Sequence, residues 1–399
     1  VVAPPPPAAD FRPIRPLVAT VTVSFIAVMA GAQLATALLP LYATHLHLDP
    51  VGLSFAYSLF LVALVGALMV SARPSLHRHA ALILIAALAV TIAADVITAD
   101  ATLAGLLAGR VLNGLALGFA GGAAATLALA AQGQRARTVV ATATVVGGLT
   151  GTVLSVALAV TLHDPLRLNY VVHGAVTLVV LAALVVSLLA TRARGRYTEA
   201  HARAEALLRY RPSIGFALGM AAWGCGTLVV VLVPNGAMRT IPGVDLVVAT
   251  LGTVVMLLAA AVAQYGLAGL RPRAALHFSF ATLAAGMIVL AIGMEVGSII
   301  TVLCGCVVIG AGEGLGYRTG LRVISGGLGP RRQGARTSAY ACAAYGVSAG
   351  LVVAGGWAVA GIGYGPGTIV VAAILLPISL SCMLVVEYDY RRGAESATI

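Results

Sequence analysis

Two charged residues lie deep inside long apolar runs of this 399-residue chain, Arg110 in the run 101–128 and Glu313 in the run 297–326. A charge near the middle of a bilayer costs ~2.5–3.5 kcal/mol on insertion scales, so each is a candidate for chemistry. Glu313 sits in Gly310-Ala-Gly312-Glu313-Gly314-Leu-Gly316. Glycines on both sides permit close helix approach or local unwinding, and either can present a carboxyl to a cavity where it loads and releases a proton. The bland alternative is a buried acid in a permanent pair with an arginine. Arg318 is five positions on and faces another way on a helix, so it is a poor partner. For Arg110 the alternatives are a functional cation and a structural arginine bonded to carbonyls of a neighbouring helix. Arg318 and Arg322, near the end of their run, read as side chains that snorkel to headgroups.

Other residues are weaker candidates. Gln33, Tyr57, Asn113, Trp223, Tyr340 and Tyr345 are polar or aromatic groups within apolar runs, suited to a substrate pocket or simply to packing. Asp95, Asp100, Asp164, Asp245 and Glu295 fall at the ends of runs and read as solvated. His45, His47 and Asp49 form a loop cluster without the further ligand that zinc would need. All five cysteines lie in apolar runs and read as small packing residues. No metal site and no cofactor is expected.

The elements that must position these groups are membrane helices. The chain is 60% hydrophobic and 9% charged, with mean hydropathy +1.02, which excludes a soluble fold. Apolar stretches of the length needed to span ~30 Å of hydrocarbon fall near 17–44, 51–72, 79–97, 101–128, 138–162, 168–191, 213–235, 243–269, 274–294, 297–326, 336–360 and 366–388. The fold class is therefore all-α integral membrane with twelve spans. There is no lysine, and all 24 basic residues are arginine. With a cytoplasmic N-terminus, 20 arginines fall on inner segments and two, Arg167 and Arg239, on outer loops. That asymmetry places both termini inside. The net charge of +11 then reflects topology and contact with anionic lipid, not nucleic acid. Abundant Ala, Val, Gly and Arg without Lys points to GC-rich codons and to a bacterial inner membrane.

The charged break Thr191–Pro212 divides the chain into a disordered tail (1–16), a first bundle (17–191), a linker (192–212) and a second bundle (213–399). Thr198–Leu208 reads either as a short surface helix or as flexible chain. Gly109, Gly114 and Gly118 recur as Gly305, Gly310 and Gly314 at an offset of 196. Ala136-Arg137-Thr138 with Gly147 and Gly151 recurs as Ala335-Arg336-Thr337 with Gly346 and Gly350 at an offset of 199. Both repeats join spans six apart, which predicts two bundles related by a pseudo-two-fold axis along the membrane normal.

This architecture, with Arg110-Val-Leu-Asn113-Gly114-Leu-Ala-Leu-Gly118 in the fourth span and Arg137 after it, resembles the major facilitator superfamily. The loop Gly66 to Arg73 keeps that family's glycine and arginine but has no acid. The run Gly147-Gly148-Leu-Thr-Gly151-Thr152 resembles its antiporter glycines without their proline. The first span carries Gln33 where many proton-coupled exporters carry an acid. The resemblance implies a coupling or cavity-ordering role for Arg110 and gating roles for Gly66, Arg73, Gly147 and Gly151. It also implies a central cavity lined by spans 1, 4, 7 and 10.

With no nucleotide motif to supply energy, the chain reads as a gradient-driven transporter working by alternating access. A cavity sparse in fixed charge suits proton-coupled efflux of a small amphipathic molecule. Metabolite uptake and lipid movement are the alternatives. A membrane enzyme is disfavoured because no His-Glu-x-x-His, Ser–Lys pair or paired intramembrane aspartates occur. The expected partners are a small-molecule substrate, protons and membrane lipids, with no nucleic acid and no second copy of the chain.

Overall fold

The computed structural model describes residues 15–48, 50–132, 139–192, 211–325 and 328–395. The tail, most of the linker with its candidate surface helix, and Arg137 lie outside them. The helices are α1 (Arg15–Ala37), α2 (Leu39–His45), α3 (Pro50–Ser71), α4 (Ala80–Thr98), α5 (Leu103–Gln132), α6 (Val139–Thr161), α7 (Pro165–Arg192), α8 (Pro212–Thr240), α9 (Leu246–Gly266), α10 (Pro272–Glu295), α11 (Ile299–Ser325), α12 (Pro330–Ile362) and α13 (Tyr364–Glu395). A 3-10 turn, Leu76–His79, leads into α4. Among the described residues, 11 helices are long and apolar enough to cross a membrane, and Phe55–Ser71 of α3 adds a shorter apolar stretch. Every expected span has its helix. The first is broken, because Pro40 cannot supply the amide that would continue α1 and instead opens α2.

Local sequence sets the helix starts. α3, α7, α8, α10 and α12 all begin on proline, whose missing N–H is an orphan there and whose φ is already helical. Asp245 caps α9 by accepting from the Val248 amide at 2.9 Å. Gly363, at φ 90°, ends α12 in a conformation that a side chain would strain.

The repeated glycines are the packing seams. Gly114 and Gly118 press α5 onto the backbone of α3 at Phe60 and Leu64. Their counterparts Gly310 and Gly314 press α11 onto α9 at the carbonyls of Met256 and Ala260. Gly109 meets α4 at Thr98, and its counterpart Gly305 meets α10 at Leu290. The offset in sequence is thus an offset in structure: spans 4, 2 and 3 pack as spans 10, 8 and 9 do. Small residues matter here because lipid tails provide no hydrophobic drive between helices, leaving close packing to hold them. Between bundles, α12 packs on α3 and α5, while its counterpart α6 packs mainly on α9. Ala341, Tyr345 and Val352 of α12 belong to the core of the first bundle. The outer faces are apolar and exposed, as at Val62, Leu82, Val179, Ile300 and Leu384, which suits contact with acyl chains.

Two sequence expectations are corrected. Asp95 is 1% exposed, not solvated, because the end of α4 is covered by α5 and α7 and the acid meets His173. Arg318 does not reach for headgroups. It is partly buried, and its Nη1 donates to the Gln264 carbonyl near the end of α9.

Candidate functional site

A cavity of about 400 Å³ lies between the bundles, on the side opposite the start of α1 and the end of α13. The first bundle contributes Gln33, Thr36, Tyr57 and Thr152, and the second contributes Val230, Asn235, Thr250 and Val352. Pro234 lines it too. A proline inside α8 leaves the carbonyl four residues back, that of Val230, without its helical donor. Next to it, Asn235 Nδ2 donates to the Val231 carbonyl at 3.0 Å. α8 therefore presents a carbonyl without its helical donor at the cavity wall while staying helical.

Gln33, Tyr57 and Val230 also line a second, central cavity of about 30 Å³, which joins them to Phe60, Thr144, Trp223, Thr227, Tyr345 and Glu313. Leu117, Thr144 and Tyr345 continue into a third of about 20 Å³ that reaches Thr337 and Ser338. The shared walls describe a path along the molecular axis, wide at one face and narrow at the other.

Glu313 is the acid of this path. It is 4% exposed, and its Oε2 has no hydrogen-bond partner among the described residues. α11 stays continuous around it, so its glycines serve close approach and not unwinding. Gly310 and Gly314 hold α11 against α9 and leave Glu313 aimed at α8. There Gly226 makes room: a Cβ at that position would lie 2.6 Å from Oε1 and 2.7 Å from Cδ. Beside it stands an aromatic chain. Trp223 is 4.6 Å from Tyr345 and 5.6 Å from Tyr317, the latter nearly edge-on at 86°. Tyr317 in turn stacks 5.0 Å from Tyr340.

Arg110 stands elsewhere. It is fully buried in the first bundle, where its Nη1 donates to the Ala32 carbonyl at 3.3 Å and to Thr36 Oγ1 at 3.1 Å. Its guanidinium lies 4.4 Å from the Phe60 ring centre and 5.5 Å from that of Tyr57. Ala32, Tyr57 and Phe60 all line the central cavity. Arg110 is thus behind the wall, one side chain away from the path. Asn113 is 1% exposed with both polar atoms unpartnered among the described residues, and it too lies outside these three cavity linings. Tyr340 is fully buried, donating to the Tyr317 carbonyl at 3.0 Å. Of the six pocket candidates, Gln33, Tyr57, Trp223 and Tyr345 meet at the path, whereas Asn113 and Tyr340 support it.

Closure on the narrow side is made by small and neutral groups. His77 Nε2 donates to the Ser71 carbonyl at 2.7 Å, and Ser338 donates to Ser71 Oγ at 3.0 Å across the bundle interface. Gly334 of α12 abuts Gly122, Thr126 and His77, leaving no room for a Cβ. Gly66 is exposed on α3 with nothing near its Cβ position, and Arg73 is exposed after it. Neither takes part in these contacts. Gly147 and Gly151 clamp α6 to α1 at Ile26, Met29 and Ala30.

Sequence reading missed one buried pair. His173 Nδ1 lies 2.7 Å from Asp95 Oδ2, and Nε2 lies 3.0 Å from the Ala27 carbonyl of α1. A carbonyl can only accept, so Nε2 carries a proton, and Nδ1 shares the other with the carboxylate. A histidine in the run 168–191 was the available signal. Thr36, Thr152, Asn235, Thr250 and Thr253 were missed as cavity residues because hydroxyls and amides inside spans most often bond their own helix. Among the described residues, no cluster of metal-ligating side chains occurs.

No protein-family model matches the chain, and no curated protein matches it. Among solved structures it is similar to the major facilitator superfamily proton:xylose symporter XylE bound to 6-bromo-6-deoxy-D-glucose. The TM-score is 0.69 at 13% identity, over 92% of this chain and 94% of that one. At that identity the likeness shows the fold: twelve membrane helices in two bundles, as the sequence motifs resembled.

Proposed function

We propose that this protein is a secondary transporter that exports a small amphipathic organic molecule in exchange for protons, with Glu313 as the proton-loading group. The observation that carries this reading is Glu313, whose Oε2 has no partner among the described residues, on a central cavity that both bundles line. A group that must both take and release a proton cannot be locked to a permanent cation, and Glu313 has none among the described residues. The fold supplies the motion, a rocking of two bundles about a central site. The wide cavity is mostly apolar with scattered hydroxyls and amides, which suits an amphipathic solute. Arg110 acts through Tyr57 and Phe60, setting the wall of the path without touching the solute.

The test is transport by purified protein in liposomes, with an imposed pH gradient and a mixed panel of solutes. Antiport drives solute against the direction of proton flow. Glu313→Gln, which copies the protonated carboxyl, abolishes that response but retains solute exchange in the absence of a gradient. Uptake by symport is the second reading, favoured by the amides Gln33 and Asn235 in the cavity, and it reverses the sign of the gradient effect. A wild type indifferent to the proton gradient rules out both.

A further inference from the structure

The charge lining the path suggests what it carries. Glu313 and Arg239 are the charged residues on the three cavity walls. Arg239 is exposed at the wide end, in the last turn of α8, where water screens it. Glu313 lines the small central cavity, 4% exposed, with Oε2 unpartnered among the described residues. The ionisable groups around it are neutral in their ordinary states. They are Cys225 from α8, Tyr345 from α12, Tyr57 from α3, and Tyr317 one turn on in α11. No arginine or histidine pairs with it among the described residues.

An ionised carboxylate in such a place lacks a counter-charge. The aromatic residues Tyr57, Phe60, Trp223 and Tyr345 line the same space, and the Arg110 guanidinium lies against Tyr57 and Phe60. Inside the cavity itself the carboxylate is the charge a solute meets, and it repels an anion and attracts a cation. The space beside the acid is about 30 Å³, enough for a group about the size of a water molecule, while about 400 Å³ of mostly apolar cavity adjoins it. An ammonium head matches the small space. Its three N–H donors have acceptors in Glu313, Thr227 and Gln33 on the same wall.

We infer that the substrate is a primary amine with an apolar tail, whose ammonium replaces the proton on Glu313. This rests on the transporter reading and names the solute class for the same site. The exchange balances. The carboxyl O–H bond breaks and its proton leaves to solvent, while the carboxylate keeps the electron pair and gains the ammonium as its partner. One positive charge enters for each that departs, so amine and proton occupy the site in turn. Exclusive occupancy is what antiport requires.

The probe is built into the protein. The chain has two tryptophans. Trp357 is 81% exposed on the outer face of α12, so Trp357→Phe leaves Trp223, in the wall of the central cavity, as the sole emitter. In that background, Trp223 emission is titrated with phenethylamine, its uncharged isostere propylbenzene, the anionic 3-phenylpropionate, and trimethylated phenethylammonium. Below pH 8 the amine stays charged, because alkylammonium groups titrate near pH 10. Phenethylamine is expected to bind. Its affinity falls tenfold per pH unit on the acid side and is level on the alkaline side, as competition with a single proton dictates. The anion does not bind, and the trimethylated head is excluded by size. Glu313→Gln weakens phenethylamine roughly tenfold to a hundredfold, the scale of a lost hydrogen bond to charge, and removes the pH dependence. Unchanged propylbenzene binding in that variant shows that the site is still folded.

Equal affinity for amine and isostere, tighter binding of the anion, or amine binding indifferent to both pH and Glu313→Gln would each overturn the inference. Gradient-driven transport of neutral or anionic solutes in the same preparation sinks the amine assignment alone. Absence of any response to a proton gradient sinks the transporter reading beneath it.

Discussion

Asp95, His173 and Arg110 are all buried in the first bundle, and each is bonded within it. The histidine and the arginine both donate to carbonyls of α1, at Ala27 and Ala32, so the three charges tie α4, α5 and α7 to one helix. The second bundle buries Glu313 with no such tie, in the path and against a glycine. The glycine seams differ in the same sense. Gly147 and Gly151 clamp α6 to α1, but their sequence counterparts Gly346 and Gly350 meet nothing within 4 Å and face outward from α12. One bundle is cross-tied around its first helix. The other pairs Asp389 with Arg211 but leaves Glu313 and one seam unengaged among the described residues. Charge paired inside a bundle ties helices together, and the proposed proton exchange rests on the charge left unpaired between bundles.

The largest expected effect separates the two acids by stability. Asp95→Asn removes the counter-charge of a buried imidazole at nearly constant shape, and breaking a buried pair costs ~3–5 kcal/mol. Thermal unfolding in detergent should show a large fall in Tm. Glu313→Gln removes a carboxyl with no ion-pair partner among the described residues, so Tm should hold or rise. Equal losses in both variants would mean that Glu313 has a structural partner, and the contrast would collapse.

The glycine seams give the next effect, with opposite signs. A Cβ at Gly151 would sit 2.8 Å from Ala30 Cα and 2.9 Å from its carbonyl carbon, backbone that cannot yield cheaply. Overpacking of that kind costs ~1–3 kcal/mol. At Gly350 the same change meets open space and gains up to about 1 kcal/mol of helix propensity. Gly151→Ala should therefore unfold earlier than the parent, and Gly350→Ala later. If Gly350→Ala is the more damaging, α12 is engaged in a seam like that of α6.

Arg110 tests whether the ties of the first bundle reach the path. Lysine keeps the charge, but a compact ammonium cannot both bond Ala32 and Thr36 and lie flat on Phe60. Arg110→Lys should slow gradient-driven transport by about tenfold, a barrier change near 1.4 kcal/mol, with KM for solute little altered. Arg110→Ala should abolish transport in a protein that remains monodisperse. Full activity in the alanine variant would leave Arg110 as scaffold alone. A rise in KM without loss of rate would place it in the solute site.

Much of this was legible in the sequence. Twelve spans follow from apolar run length, and the bundle repeat follows from glycine spacing, because both are written residue by residue. Glu313 and Arg110 stood out since charge is rare in such runs. What distinguishes them, one in the path and one behind it, depends on which neighbour each helix face meets, and a sequence with glycine on several faces of α5 and α11 leaves that open. Asp95 was misread because it lies one turn from a helix end, where water is the default. Only the cover provided by α5 and α7 makes it interior. The closing contacts of Ser71, His77 and Ser338 were invisible for a similar reason. They join residues up to 267 positions apart, through groups that carry no net charge signal.

The smallest effect concerns that closure, where the two bundles meet. Ser338 of α12 donates to Ser71 Oγ of α3 in the state with the narrow side shut. In the proposed rocking of the bundles water replaces that bond, so it stabilises only the shut state. A net hydrogen bond is worth ~0.5–1.5 kcal/mol, which shifts such a two-state balance by roughly two- to twelvefold. Ser338→Ala should raise amide hydrogen exchange at the start of α12, from Pro330 to Ala344, by a factor in that range. Exchange in α1, held by His173 and Arg110, should not change. Fold stability stays within about 0.5 kcal/mol of the parent, because the bond ties bundle to bundle and not helix to helix. A rise in exchange spread evenly over both bundles would instead show that the interface bond supports the fold itself. The two bundles would then unfold as one body, with no hinge between them.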